Sequence, residues 1–271
     1  MTDAELRTAA GLAYREALPR GTPTGTLLCV HGYPESSYMW CSVLAAAAAA
    51  GWRALAPDLP GYGDSPLAGG DGSWERHLAA LGAFHAALAL GPVALAVHDW
   101  GGLIGLRWAC ENPAAIRALS ISDTGFFADG KWHGLAQAMR TPGQGEELAA
   151  GMTADGFAAM LGGVSRMTPE AIAEYWKGYD GEERRRAHLE LYRSGDFDKL
   201  EPYAGRLAAL SVPTLLLWGA DDPFAPLAGA HRLLAEIPGA RLEVVAGSGH
   251  FVFDDAPDEA ARLLVEFLRG L

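Results

Sequence analysis

The chain has 271 residues, of which half are hydrophobic and 20% are charged, and its formal net charge at pH 7 is −12. This length is enough for one α/β core with a single inserted subdomain. The acidic balance argues against nucleic acid or an anionic membrane as a partner, and no apolar run reaches the roughly 20 residues of a membrane span. The three cysteines lack metal-binding spacing, so we expect neither a metal nor a cofactor.

The first residues of the chain are acidic and do not form the cationic and then apolar pattern of a secretion signal. We therefore expect a cytoplasmic protein. The sequence leaves both a monomer and a homodimer open.

Six short and nearly continuous apolar runs predict the strands of a mostly parallel sheet that is flanked by helices. Runs of this kind fit strands that are covered on both faces. Helical patterns separate several of them, and a last amphipathic helix is predicted over 257–268. The predicted strands are 26–30, 53–56, 93–97, 116–121, 214–218 and 242–245.

This alternation stops between residues 125 and 203, where helical fragments and glycines replace the strand patterns. We predict that 125–203 is a helical cap inserted between strands 6 and 7, and that 1–124 and 204–271 form the α/β core. A cap at this point would cover the carboxyl edge of the sheet, where open α/β sheets bind their ligands.

An aspartate occupies a sharp turn between a predicted strand and a predicted helix, in the run Val97-His98-Asp99-Trp100-Gly101-Gly102. Strand, turn and helix in this order are the setting of a nucleophile elbow. A carboxylate with its ordinary pKa near ~4 is already anionic at neutral pH, so Asp99 needs no base before it attacks. It suits attack on an sp3 carbon that bears an epoxide oxygen or a halogen. The alternative role for Asp99 is a helix cap.

Attack by Asp99 leaves an ester that water must cleave, and His250 is the predicted base for that water. His250 follows the last predicted strand, so it should reach the carboxyl edge of the sheet. Asp222, which follows strand 214–218, is the favoured acid partner of His250, and Asp123 is the alternative. The chain order of nucleophile, acid and histidine is the order expected after such an elbow.

A second turn, His31-Gly32-Tyr33-Pro34, follows the first core strand. From there the backbone N–H of Tyr33, together with that of Trp100, would bind the ester oxygen as the carbon becomes tetrahedral. These two N–H groups are the predicted oxyanion hole.

Taken together, these motifs resemble the Asp-nucleophile branch of the α/β-hydrolase superfamily, which contains the epoxide hydrolases and the haloalkane dehalogenases. The run 58–65 also looks like a scaffold turn of that family. The resemblance implies an enzyme of the α/β-hydrolase fold that acts on a small apolar substrate with water. Both activities share the His-Asp-Trp-Gly-Gly run, so the groups that bind the leaving group must separate them.

For an epoxide, the resemblance implies that cap tyrosines donate to the ring oxygen. Tyr192 fits one of them, because it stands in a Tyr-Arg pair ahead of Asp222. The second tyrosine has no clear match, and Tyr175 and Tyr179 are weak candidates.

For a halide, the resemblance implies indole N–H donors. Trp100 occupies the matching position, and Trp132 or Trp176 would supply a second indole, because Tyr33 stands where relatives keep an asparagine. That departure slightly favours an epoxide hydrolase over a haloalkane or haloacid dehalogenase. A ligand-binding protein that has kept the fold without catalysis is the remote alternative.

Overall fold

The computed structural model of the protein describes residues 4–271. Residues 1–3 lie outside this range. They belong to the predicted core and to the N-terminal segment in which no secretion signal is expected. One eight-stranded sheet has the order β1-β2-β4-β3-β5-β6-β7-β8. Its strands are β1 (Glu5–Ala9), β2 (Leu12–Ala17), β3 (Thr26–Val30), β4 (Arg53–Pro57), β5 (Val93–His98), β6 (Ile116–Ser122), β7 (Thr214–Gly219) and β8 (Arg241–Val245).

The sheet is mostly parallel, as predicted. Strands β3 to β8 pair only in parallel with one another, and the antiparallel pairs are β1 with β2 and β2 with β4. All six predicted strands are present to within a residue or two at each end. The two antiparallel strands at one edge were not predicted. The outer strand β1 is largely exposed and its sequence is polar, and the buried strand β2 has its apolar run interrupted by Arg15 and Glu16.

Helices cover the sheet and fill the stretch between β6 and β7. In the core, α1 packs on α12 and α2 packs on α3. The helices are α1 (Cys41–Ala49), α2 (Trp74–Ala87), α3 (Trp100–Glu111), α4 (Gly134–Arg140), α5 (Gln144–Gly151), α6 (Ala154–Gly162), α7 (Pro169–Trp176), α8 (Glu182–Ser194), α9 (Arg206–Ala209), α10 (Leu227–Glu236), α11 (Val252–Asp255) and α12 (Pro257–Arg269).

Five of these helices, α4 to α8, lie within the predicted cap, and none of its described residues is in a strand. The cap is fastened to the core by polar contacts as well as by packing. For example, the Arg184 guanidinium of α8 donates to the carbonyl oxygens of Gly61 and Gly63 at 3.1 and 3.0 Å. We propose that the cap is 125–203 and that the core is 1–124 and 204–271. Within residues 4–271, no helix has the length and apolar character needed to cross a membrane.

The centre of the sheet determines where the elbow lies. Strand β5 is buried along its whole length between β3 and β6, and α3 begins two residues after it ends. The turn brings α3 so close to β3 that a Cβ on Gly101 would lie 2.3 Å from the carbonyl oxygen of Val30. Only glycine permits this approach, so the residue at the turn is held at the carboxyl edge of the sheet.

Candidate active site

The elbow residue Asp99 has a strained backbone and a carboxylate that faces away from the helix it precedes. Its φ of 47° lies in the left-handed region, a conformation that costs a non-glycine residue about 1–3 kcal/mol. The carboxylate makes no capping hydrogen bond to α3. Instead Asp99 Oδ2 accepts the backbone N–H of Tyr33 at 2.8 Å. Asp99 therefore does not act as the helix cap, and its other carboxylate oxygen is left for a different contact.

That contact is with His250, which lies between two carboxylates. His250 Nε2 is 3.6 Å from Asp99 Oδ1, and Nδ1 is 2.8 Å from Asp222 Oδ2. The remaining oxygen of Asp222 accepts the backbone N–H groups of Phe224 and Ala225 at 2.7 and 2.9 Å. The turns after β5, β7 and β8 thus bring together three residues that are far apart in the chain.

The charges of these three residues stabilise one another. Burial opposes a charge on Asp99, but the hydrogen bond and charge of His250 outweigh it and lower the pKa of Asp99 to about 2. Burial also opposes the charge of Asp222, yet His250 holds its pKa below the ordinary value. Burial lowers the pKa of His250, whereas Asp222 and Asp99 together raise it well above the ordinary value. Asp99 is therefore an anion at neutral pH, as a nucleophile of this kind must be.

The alternative acid, Asp123, is fully buried and makes different contacts. Its Oδ1 accepts the backbone N–H of Gly219 at 2.9 Å, and its Oδ2 has no hydrogen-bond partner among residues 4–271. Burial raises the pKa of Asp123 well above its ordinary value, and the nearby charge of Asp222 adds to this effect. Burial therefore favours the neutral form of Asp123, and the hydrogen bond to His250 belongs to Asp222.

The two residues of the predicted oxyanion hole both flank Asp99. The backbone N–H of Tyr33 is already bonded to the Asp99 carboxylate. Trp100 is the first residue of α3, where backbone N–H groups have no partner within the helix. A Cβ on Gly32 would lie 2.4 Å from Cβ of Asp99, so only glycine lets the Tyr33 turn come this close.

Four aromatic rings pack together beside Asp99, two from the core and two from the cap. Trp132 stacks on Trp100 with ring centroids 5.4 Å apart. Tyr192 packs edge-on against Trp100 and Tyr33, at 5.2 and 5.1 Å. The indole N–H of Trp132 is buried and has no hydrogen-bond partner in the described part of the chain. The hydroxyl of Tyr33 is hydrogen-bonded to that of Tyr179, so Tyr33 is joined to the cap as well as to Asp99.

The cavity above Asp99 has two lobes. The larger, of about 260 Å³, lies along Trp100 and Trp132, and the smaller, of about 70 Å³, lies along Tyr33 and Tyr192. Asp99 and His250 line both lobes. A substrate in either lobe would therefore contact the carboxylate and the histidine.

Comparison with known proteins agrees with this geometry. The family model described as alpha/beta hydrolase fold matches residues 25–257. The chain belongs to the α/β-hydrolase superfamily. The aspartate at its elbow places it in the Asp-nucleophile branch, so the predicted family, fold and enzyme class are confirmed.

Individual relatives of this hydrolase carry the names of both predicted activities. The haloalkane dehalogenase of Psychrobacter cryohalolentis is 29% identical over 98% of this chain and 88% of its own. The crystal structure of DbjA superposes with a TM-score of 0.87 at 24% identity, covering 99% of this chain and 98% of the other. The epoxide hydrolase VrEH1 of Vigna radiata superposes with a TM-score of 0.79 at 22% identity, covering 100% and 99%. At these identities the two structures show the shared fold alone.

Three of the candidate cap residues of the hydrolase do not lie beside Asp99. Trp176 stacks flat on Tyr179, with ring centroids 5.8 Å apart, and the Arg185 guanidinium lies over the Trp176 ring, 5.7 Å from its centroid. Trp176 lines neither lobe of the cavity, so the expectation that it binds the leaving group is not met. The hydroxyl of Tyr175 donates to the Asp254 carboxylate. Tyr179 approaches the site only through its bond to Tyr33.

Sequence reasoning missed two residues that support the site of this hydrolase. Glu35 accepts from Nδ1 of His98 at 2.8 Å, and His98 Nε2 donates to the backbone carbonyl of His250 at 2.8 Å. Burial would lower the pKa of His98, but the Glu35 carboxylate raises it to about 9. At that pKa both ring nitrogens of His98 carry a hydrogen at neutral pH and can donate these two bonds. Phe224 packs edge-on against the His250 ring at 5.3 Å. The two missed residues, Glu35 and Phe224, each lie two positions after a predicted site residue, Tyr33 and Asp222. That proximity in sequence is the signal that could have indicated them.

Proposed function

We propose that this hydrolase cleaves a carbon–halogen bond by way of an ester on Asp99. In the first step a carboxylate oxygen of Asp99 attacks an sp3 carbon, and the carbon–halogen electron pair leaves with the halide. In the second step His250 takes a proton from water, and the water oxygen attacks the carbonyl carbon of the ester. The alcohol then leaves with the proton held by His250, and the Asp99 carboxylate is restored. The net reaction consumes one water and releases an alcohol, a halide and a proton.

The residues around Asp99 suit both steps. The low pKa of Asp99 keeps the nucleophile charged, and the hydrogen bond from His250 to Asp222 orients the base and stabilises it when protonated. In this proposal the backbone N–H groups of Tyr33 and Trp100 stabilise the tetrahedral oxyanion of the second step. The relatives named haloalkane dehalogenase support a small substrate, with water as the second reactant.

The buried and unpaired indole N–H of Trp132 is the observation that carries the choice of a halide. A buried donor without a partner is costly unless a ligand uses it. Trp132 stacks on Trp100 at the wall of the larger lobe, so a halide in that lobe would lie beside two indoles. The relatives named haloalkane dehalogenase add to this support.

Opening of an epoxide is the second candidate, and Tyr192 favours it. Burial raises the pKa of Tyr192 well above its ordinary value, so its hydroxyl keeps the proton that a ring oxygen would need. The slight preference of the sequence for an epoxide rested on Tyr33 in place of an asparagine. That preference is not confirmed, because the relatives named haloalkane dehalogenase support the halide at least as well.

The test compares Trp132→Phe with Tyr192→Phe on a panel of bromoalkanes, haloacids and small epoxides, with halide measured by ion chromatography and diol by mass spectrometry. We expect halide release, with kcat/KM for bromoalkanes lowered about 10²-fold by Trp132→Phe and less by Tyr192→Phe. Trp176→Phe is the matched control, because that indole lines neither lobe, and it should leave kcat/KM unchanged. Diol release that depends on Tyr192, without halide release, would establish the second candidate instead.

The remote alternative, a binding protein without catalysis, predicts neither product. It also predicts that no ester forms on Asp99 when the His250→Ala variant is incubated with any member of the panel. A trapped ester would exclude it.

A further inference from the structure

One histidine outside the triad borders both lobes of the cavity. His133 directly precedes α4 in the cap, and its ring lines the smaller lobe as well as the larger one. The ring packs edge-on against Phe224 at 5.1 Å, and Phe224 packs edge-on against His250 at 5.3 Å. His133 therefore lies next to the place where a reacting carbon must sit to be within reach of Asp99.

The local structure decides which ring nitrogen of His133 carries the hydrogen. Nδ1 accepts the backbone N–H of Ala136 at 3.4 Å and so caps the first turn of α4. An accepting nitrogen carries no hydrogen, so the neutral ring must carry it on Nε2. Burial lowers the pKa of His133 below its ordinary value, which keeps the ring neutral at neutral pH. Across residues 4–271, Nε2 has no hydrogen-bond partner.

His133 borders a lobe whose cap wall is apolar apart from His133 itself and the phenol of Tyr192. The apolar side chains on that wall are Leu135, Met160, Leu161 and Val164. A donor in such a wall discriminates strongly, because a ligand without an acceptor leaves it unpaired after water has been displaced. The donor therefore distinguishes ligands by one acceptor atom rather than by size.

We propose that His133 is a specificity-determining residue whose Nε2–H donates a hydrogen bond to an oxygen of the substrate beside the reacting carbon. The preferred substrates are then haloalkanes that carry an ether, hydroxyl or carbonyl oxygen on the carbon chain, rather than plain haloalkanes. The inference rests on the proposed function, because it assigns a substrate class to the same site. It changes neither the attack by Asp99 nor the departure of the halide.

The experiment compares a bromoalkyl ether with the bromoalkane of equal chain length in wild-type enzyme and in His133→Ser. Serine is a favoured N-cap residue, so it keeps the start of α4 while removing the donor from the cavity. We expect the ratio of the two kcat/KM values, ether over bromoalkane, to fall about tenfold, with the change mainly in KM. His133→Asn keeps a cap oxygen and adds an amide donor, so it should restore part of the ratio.

Leu135→Ala is the matched control, because it enlarges the same lobe without touching a polar group. It should change kcat/KM for both substrates by the same factor and so leave their ratio unchanged. If His133→Ser lowers kcat/KM equally for both substrates, or for neither of them, the inference is overturned. Equal loss would assign His133 to the leaving group or to the fold of the cap.

Binding separates this inference from the proposed function. The two product alcohols, with and without the ether oxygen, are titrated calorimetrically into Asp99→Asn and into the Asp99→Asn/His133→Ser double variant. Weaker binding of the ether alcohol alone in the double variant supports the role of His133, even if the enzyme cleaves neither bromide and the proposed function fails. Equal binding by both proteins refutes the inference even if bromide is released.

Discussion

The carboxyl edge of the sheet and the cap over it contribute groups of opposite character to one cavity. The edge contributes charges, Asp99, Asp222 and His250, and backbone hydrogen bonds hold both carboxylates in place. The cap contributes neutral groups, Trp132, Tyr192 and His133, which are held by ring packing and helix capping. The difference teaches that reactivity and selectivity are separable here, because they reside in different parts of the fold. Substitutions of these three charged edge residues should abolish or greatly slow turnover, and substitutions in the cap should alter which molecule is turned over.

The largest effect is expected from Asp99→Asn. The amide cannot attack carbon, so turnover of every substrate should fall by roughly 10⁴-fold or more. Asparagine is almost the same shape and tolerates a positive φ, so the fold should persist. Halide release, measured beside a thermal melt of the same sample, tests this. A folded variant that turned over at the wild-type rate would show that Asp99 is not the nucleophile. The distinction between a reactive edge and a selective cap would then be wrong.

His250→Ala should stop the enzyme halfway, because the first step does not need a base. Each enzyme molecule should release one halide and then keep an ester on Asp99, detectable as a mass increase equal to the alkyl group. Release of several halides for each enzyme molecule would contradict the role of His250 as the base of the second step.

The pH dependence of the second step should reveal the same histidine. Neutral His250 is the base, so ester hydrolysis should speed up as the pH rises through the pKa of His250. Both Asp222 and Asp99 raise that pKa in the free enzyme, and Asp99 loses its charge in the ester. The pKa in the ester should therefore be lower than that of the free enzyme. Single-turnover kinetics against pH give the first value, and an NMR titration of the free enzyme gives the second.

Within the edge, Asp222→Asn and Asp123→Asn form a matched pair. We expect Asp222→Asn to slow ester hydrolysis about 10⁴-fold, because His250 loses the anion that orients it. Asp123→Asn should change activity by less than about threefold. It should also stabilise the protein at neutral pH, because folding raises the pKa of Asp123 and so opposes the ionisation that the unfolded chain allows. The wild type therefore loses stability relative to this variant as the pH rises above about 4. Urea melts at acidic and neutral pH test this, and reversed activities would make Asp123 the acid.

The edge was predictable from the sequence to a degree that the cap was not. Asp99, Asp222, His250 and Tyr33 each lie in the turn or loop that follows a strand of the parallel sheet, and parallel strands deliver such residues to one edge. Once the strands are recognised, the residues that follow them are expected to lie close together. The roles assigned to these residues remain predictions until they are tested.

The positions of cap residues depend on how helices pack, and no sequence rule orders those contacts. Trp132 and Trp176 were equal candidates by residue type, and only packing on Trp100 or on Tyr179 separates them. His133 had no visible partner in the sequence, because the ring that it packs against, Phe224, comes from a distant turn of the core. The edge strand β1 was missed for a different reason, since exposure removes the apolar pattern. Strand β2 is buried, but Arg15 and Glu16 interrupt its apolar run.

The smallest effects are expected where the two regions meet, at the bond between the hydroxyls of Tyr33 and Tyr179. Tyr33 belongs to the edge through its backbone N–H on Asp99 and to the cap through its hydroxyl. Tyr179→Phe should cost about 1 kcal/mol of unfolding free energy and change kcat/KM by less than about threefold. Tyr33→Phe removes the same bond from the other side, so a double-mutant cycle in urea gives the coupling of the pair. If Tyr33→Phe lowers kcat/KM and Tyr179→Phe does not, the Tyr33 hydroxyl acts on the substrate. Tyr33 would then contribute to catalysis through its backbone N–H and to substrate binding through its hydroxyl.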